Sequence, residues 1–152
     1  WEQIKAEEKA RECTSSSSPL SDQLAKKVRG LSALAGAMTI SKKAAKAGFE
    51  WDDISGVWDK VQEELEELKE AVISGDKAHA QEELGDVLFT LVNVARWCDL
   101  EPEEGLAGTN RRFLDRFSRV EAALNGDLQG RSIQELEHLW QQAKKAIRSE
   151  QG

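Results

Sequence analysis

The position of the helix breakers constrains this chain most. Only two prolines, Pro19 and Pro102, interrupt its 152 residues, and proline inside a helix costs about 3 kcal/mol. Elsewhere apolar residues recur at three- and four-residue intervals, with no period-two alternation of the kind a half-buried strand needs. The chain is therefore expected to be all-α, an antiparallel helical bundle of about five helices. Ser32 to Ala47 predicts the first core helix, apolar at Leu34, Ala37, Met38, Ala44 and Ala45 and stopped by Gly48. Phe49 and Trp51 are expected to pack after that turn. Asp53 to Ser74 predicts the second, with Ile54, Val57, Trp58, Val61, Leu65, Leu68 and Val72 at helical spacing and Gly75 at its end. Asp76 caps a third, expected to be the most buried, whose stripe is wide: Leu84, Val87, Leu88, Leu91, Val92, Ala95 and Cys98. Pro102 suits the first position of a fourth helix, with Leu106, Phe113, Phe117, Val120 and Leu124 inward and fraying near Asn125-Gly126. Ser132-Ile133-Gln134-Glu135 has the form of a capping box and opens a fifth carrying Ile133, Leu136, Trp140, Ala143 and Ile147. Trp51, Trp58 and Trp97 are expected in the core.

Upstream, Trp1 to Glu12 reads as a short polar helix, and Cys13 to Pro19, with four consecutive serines, as a linker. The expected division is thus an N-terminal helix and linker over 1–20 and one folded domain over 21–152. A start on Trp1 rather than Met leads us to expect a piece of a longer chain. Asp and Glu number 28 against 21 Lys and Arg, a net charge of −7, which argues against binding nucleic-acid polymers yet leaves room for a small anion held locally. The longest uncharged stretches, Leu31 to Ser41 and Val87 to Ala95, fall short of the ~20 apolar residues that span a bilayer. No secretory signal is visible. Cys13 and Cys98 form neither a disulfide framework nor a metal motif, so a reducing, cytoplasmic location is expected.

The second helix contains Glu63-Glu64-Leu65-Glu66-Glu67 and the third Glu82-Glu83-Leu84-Gly85-Asp86. With 3.6 residues per turn, Glu64 and Glu67 share one flank of their apolar seam, and Glu83 and Asp86 share one flank of theirs. The short turn around Gly75 makes the two helices an antiparallel hairpin, in which residues equidistant from the turn stand level. Glu64 and Asp86 are each eleven residues from Gly75, and Glu67 and Glu83 each eight. Four carboxylates are thus expected to share one small space, where like charges raise one another's pKa unless a cation intervenes. Oxygen-only donors favour Mg²⁺ or Mn²⁺ over zinc or copper. The Glu-x-x-His partners of di-iron bundles and the Asp-rich calcium loop are both missing.

On the fourth helix, Arg112 and Arg116 are one turn apart and share a face. Guanidinium forks match phosphate oxygens, and Mg²⁺ bridges carboxylates to phosphates, so the two groups together point to a polyphosphate substrate. Lys60, one turn before Glu64, adds to this. Trp140 and Lys144 offer an indole and an ammonium, for a base and a phosphate, with core packing the alternative for Trp140. His79 and His138 stand alone and read as surface residues. There is no glycine-rich phosphate loop, no G-x-S-x-G elbow and no catalytic-cysteine pattern.

These residues resemble the MazG-type nucleoside triphosphate pyrophosphohydrolases of the all-α NTP pyrophosphatase superfamily, over almost the whole chain. The family's EExxE and ExxD motifs appear as Glu63 to Glu67 and Glu83 to Asp86, followed by Val87-Leu88-Phe89. Asn110 to Phe117 is similar to its N-x-[KR]-F-x-x-R-F segment, and Trp140 with Lys144 to its late W-x-x-x-K. Trp1 to Lys5 and Gly48 to Trp51 are similar to the C-terminal half of two-domain members. The resemblance implies Mg²⁺-dependent hydrolysis of an NTP or dNTP between the α and β phosphates, giving the monophosphate and pyrophosphate, by a homodimer. Carried over, Glu64, Glu67, Glu83 and Asp86 are metal ligands, and Lys60, Arg112, Arg116, Trp140 and Lys144 contact nucleotide. His79 and Arg112 stand where some members carry Lys. Water attacks in line without a covalent nucleophile, and Glu63 or Glu82 is the candidate to accept its proton. The alternatives are a dUTP- or dCTP-selective hydrolase of the same superfamily and a non-catalytic helical assembly domain.

Overall fold

The computed structural model describes residues 19–152. The expected helix over Trp1 to Glu12, the serine linker before Pro19 and the Trp1 to Lys5 resemblance lie outside the described residues. Among the described residues there are six helices and no strand: α1 (Leu20–Lys27), α2 (Ala33–Lys46), α3 (Ile54–Ser74), α4 (Lys77–Trp97), α5 (Pro102–Ala123) and α6 (Ile133–Gln151). The all-α expectation holds, and its five helices are α2 to α6. Helix α1 is additional; it buries none of its residues and carries Asp22 in its first turn and Lys26 and Lys27 in its last, matching the helix dipole.

Local chemistry sets the boundaries. Ser32 caps α2 by accepting from Ala35 N at 3.1 Å, Asp53 caps α3 from Ser55 N at 2.8 Å, Asp76 caps α4 from His79 N at 3.2 Å, and Ser132 caps α6 from Glu135 N at 3.1 Å. Gly75 has φ +79°, the left-handed conformation that lets the chain reverse between α3 and α4 in two residues.

The chain packs as two compact units, one running to Pro102 and the other from Glu103 to Gly152. In the first, α4 is shared. Its Val92 and Ala95 meet Met38 of α2, with Leu34 and Ala37 alongside. Its Val94 meets Val57 and Val61 of α3, joined by Trp51, Ile54, Leu65 and Trp97. Val57 and Val92 are fully enclosed, each contributing about 1.5–3 kcal/mol by burial. In the second unit, Val120 of α5 and Leu124 in the turn after it pack on Ala143 of α6, with Leu136, Leu139 and Trp140 around them. Arg119 spans the pair, donating Nη1 and Nη2 to Glu150 at 2.8 and 2.7 Å.

Several core expectations are corrected. Trp58 is exposed, because α3 turns Val57 and Val61 toward α4 and residue 58 lies about 100° around the helix. Phe49 is 85% exposed rather than packed after the turn. Leu84, Leu88 and Leu91 are also exposed, so only part of the wide α4 stripe is covered within this chain. Val72, Leu106, Phe113 and Ile133 are exposed as well. No described helix is long and apolar enough to cross a membrane.

Candidate active site

The reversal at Gly75 sets the facing flanks of α3 and α4 against each other. One carboxylate oxygen from each of Glu64, Glu83 and Asp86 lies within 4.8 Å of the others. Glu64 is buried and Glu83 half-buried, while Asp86 opens to solvent. Glu67 completes the group electrostatically: desolvation, then the charges of Glu64 and Glu83, push its carboxyl above the usual range. All four expected ligands are thus gathered on the hairpin.

Two oxygens decide what this cluster is suited to. Glu64 Oε2 and Glu83 Oε2 are buried without a hydrogen-bond partner among the described residues. A buried carboxylate oxygen left bare is costly, and a hard divalent cation is the partner that satisfies several such oxygens together. The donor set therefore fits Mg²⁺ or Mn²⁺.

Lys60 Nζ lies 3.1 Å from Glu64 Oε1 and 3.4 Å from Glu63 Oε2, and its bond to Glu64 leads in raising its pKa. It supplies one fixed positive charge to a cluster carrying several negative ones. His79, expected to stand alone, instead places Nε2 3.8 Å from Glu83 Oε1, one turn along α4.

Of the two candidate bases, Glu63 lines a pocket of about 750 Å³ together with Lys60, Glu64 and Asp86. Glu82 is exposed and is not among the residues lining it. That pocket extends beyond the acidic residues to Phe49, Trp51, Phe89, Thr90, Ser41, Asn93 and Arg96. Sequence reasoning missed this polar end. The available signal was Thr90 and Asn93, two polar residues three apart on one face of the otherwise apolar run from Val87 to Ala95.

The cationic residues gather in the second unit. Arg111, Arg112, Arg116, Lys144 and Arg148 line a pocket of about 250 Å³ with Asp115 as its acidic member. Arg112 Nη2 donates to Thr109 Oγ1 at 3.1 Å. The Arg116 guanidinium lies 5.7 Å from the Trp140 ring centroid, a cation–π contact. Trp140 also meets Phe113 at 5.2 Å and packs on the α5–α6 core. Its ring is thus engaged by protein. Arg111 and Arg148 were not singled out from the sequence; Arg148 lies one turn beyond Lys144, a spacing that offered the signal.

Residues 56–116 match the family described as the MazG nucleotide pyrophosphohydrolase domain. Over 147 residues the chain is 36% identical to the nucleoside triphosphate pyrophosphohydrolase/pyrophosphatase MazG of Thermotoga maritima, an alignment covering 95% of this chain and 54% of that protein. It is 39% identical over 152 residues to the nucleoside triphosphate pyrophosphohydrolase of Escherichia coli, covering 95% and 55% respectively. A stretch of 69 residues, 43% of this chain, is 44% identical to the uncharacterized protein YabN of Bacillus subtilis, of which it covers 14%. The chain spans about half the length of the first two relatives.

Proposed function

Because residues 56–116 belong to the MazG nucleotide pyrophosphohydrolase family, we propose that this protein hydrolyses nucleoside triphosphates between the α and β phosphates, releasing a monophosphate and pyrophosphate. The observation that carries this reading is the meeting of Glu64, Glu83 and Asp86, with two buried carboxylate oxygens that have no hydrogen-bond partner among the described residues. The names of the Thermotoga maritima and Escherichia coli relatives support it.

In this reading Glu64, Glu67, Glu83 and Asp86 hold Mg²⁺, with Mn²⁺ as a substitute. When bound, the divalent ion supplies positive charge against the triphosphate and the charge that develops on its oxygens. Glu63 accepts the proton of the attacking water; its place in the same pocket as Glu64 and Asp86 favours it over Glu82. Lys60 holds Glu64 in position and balances part of its charge. Arg112, Arg116 and Lys144 take phosphate oxygens, supported by their convergence on one pocket. Trp140 serves by steadying the Arg116 guanidinium rather than by stacking on a base.

The working form in this reading is a homodimer, supported by the exposed α4 stripe of Leu84, Leu88 and Leu91. A cytoplasmic setting is supported by the free thiol of Cys98.

Phosphorus NMR of the products from a panel of NTPs and dNTPs, with Mg²⁺, tests the proposal, run beside Glu64→Gln. Monophosphate plus pyrophosphate, lost in the variant, is the expected result. Turnover of dUTP or dCTP alone would narrow it to a selective hydrolase. Diphosphate plus phosphate would overturn the αβ cleavage, and absence of turnover together with absence of Mg²⁺ binding would leave a helical assembly domain.

A further inference from the structure

The pocket beside the carboxylates has an end that phosphate chemistry does not use. There Ser41 and Asn93, 4% and 7% exposed, meet across α2 and α4. Ser41 Oγ donates to Asn93 Oδ1 at 2.5 Å, and Arg96 Nε donates to Ser41 Oγ at 2.8 Å. A guanidinium has no acceptor, so the hydroxyl accepts from Arg96, and in this structure its single proton lies on the bond to Asn93. The Asn93 amide is thereby oriented with its oxygen on Ser41. Its Nδ2, with two donor protons, meets no acceptor among the described residues. Arg96 is itself fixed by donating both terminal nitrogens to Glu50, which also accepts from Trp97 Nε1 at 2.9 Å.

Around this donor the pocket is walled by Phe49, Trp51 and Phe89. Phe49 is 85% exposed, so its ring is not placed there by core packing. Trp51 lies so close to α3 that a Cβ on Gly56 would come within 2.9 Å of its Cδ1, and glycine at that position lets the ring sit where it does. Aromatic side chains around an accessible amide donor suit a flat heterocycle with an acceptor on its edge. The same pocket is lined at its other end by Lys60, Glu64 and Asp86.

We propose that this end receives the nucleobase, that Asn93 Nδ2 donates to a carbonyl oxygen or ring nitrogen on the base edge, and that Arg96 acts through Ser41 as the positioning residue for that amide. This rests on the nucleotide reading above and adds the residues that read the base.

The test compares steady-state kinetics on NTPs and dNTPs of each base with inhibition by inorganic tripolyphosphate, which has no base. Asn93→Leu is expected to raise KM about tenfold, the loss of one well-made hydrogen bond, by different factors for different bases, while tripolyphosphate inhibition is unchanged. Asn93→Asp keeps the acceptor for Ser41 and removes the donor, so it is expected to reorder the bases. Arg96→Leu is expected to give a smaller base-dependent loss that Arg96→Lys, still a donor, restores. Phe49→Ser, which removes no core contact, keeps the test open if the buried variants fail to fold; it is expected to weaken NTPs and spare tripolyphosphate. Equal losses for every base with equally weakened tripolyphosphate inhibition, or unchanged KM throughout, would overturn the assignment. Calorimetry with nucleosides separates the two readings. Nucleoside binding weakened by Asn93→Leu, without turnover by the parent protein, would keep the base pocket and remove the hydrolase, whereas turnover insensitive to all these variants would do the reverse.

Discussion

Arg96 donates Nη2 to Glu50 Oε1 at 2.8 Å and Nη1 to Glu50 Oε2, tying α4 to the segment that follows α2. These bonds hold the Glu50 carboxyl below its ordinary value of 4.5. A carboxylate with a depressed folded pKa contributes stability that is fully present above its unfolded pKa and is lost as pH falls through the folded one. Glu50→Gln is therefore expected to cost about 1 kcal/mol at neutral pH, a figure kept low because the pair is partly solvated. The gap should close once the pH falls well below 4.5. Urea unfolding at a series of pH values measures it, and a gap that does not change with pH would show that the Glu50 charge has no part in it.

Mg²⁺ is expected to stabilise the folded chain by mass action. At about 100 times its dissociation constant the gain is about 2.7 kcal/mol, or roughly 5–10 °C in Tm for a chain of this length. Glu64→Gln should remove most of that shift without lowering the Tm of the metal-free protein, because it takes a charge away from Glu67 and Glu83. Thermal melts with Mg²⁺, Mn²⁺ and chelator decide this. A shift of equal size in the variant would move the ion elsewhere.

Glu63→Gln is expected to lower kcat by about 10²–10⁴-fold with little change in KM, as loss of a general base does. Glu82→Gln, exposed and away from the pocket lining, should cost at least tenfold less. The reverse order would transfer the base role to Glu82.

Arg116→Ala and Trp140→Leu should each raise KM for the triphosphate, and the double variant should do little more than either alone if the ring's part is to hold the guanidinium that lies 5.7 Å from its centroid. Additive losses in this double-mutant cycle would mean that Trp140 meets the nucleotide itself.

Leu88 is 50% exposed at the middle of the Leu84, Leu88, Leu91 stripe. Light scattering coupled to size exclusion should find a dimer for the parent chain and a monomer for Leu88→Glu. A dimer in both would place the interface on another face.

Much of the hairpin was legible in advance because its information is local. Asp53, Gly75, Asp76 and Ser132 mark helix ends through their own backbone chemistry, and the structure keeps them in those roles. The nearness of Glu64, Glu83 and Asp86 followed from helical rise and the centre of one turn. Exposure was harder to read. Trp58, Leu84, Leu88 and Leu91 carry the same periodic signal as buried residues, since a stripe wider than one contact face does not say which part of it the chain covers. His79 likewise looked solitary until its reach to Glu83 was visible.

The sequence by itself determined helices α2 to α6, most of their ends and the gathering of carboxylates across Gly75, because each depends on bonds and angles within a few residues or one short turn. Tertiary structure decided which side of α4 meets α2 and which meets α3. It also decided that Ser41 would bond Asn93, 52 residues away, with Arg96 donating to the same hydroxyl. A hydrogen bond between distant segments leaves no period in the sequence; it exists only once packing has brought a donor and an acceptor into the same buried space, where leaving either unpaired is costly.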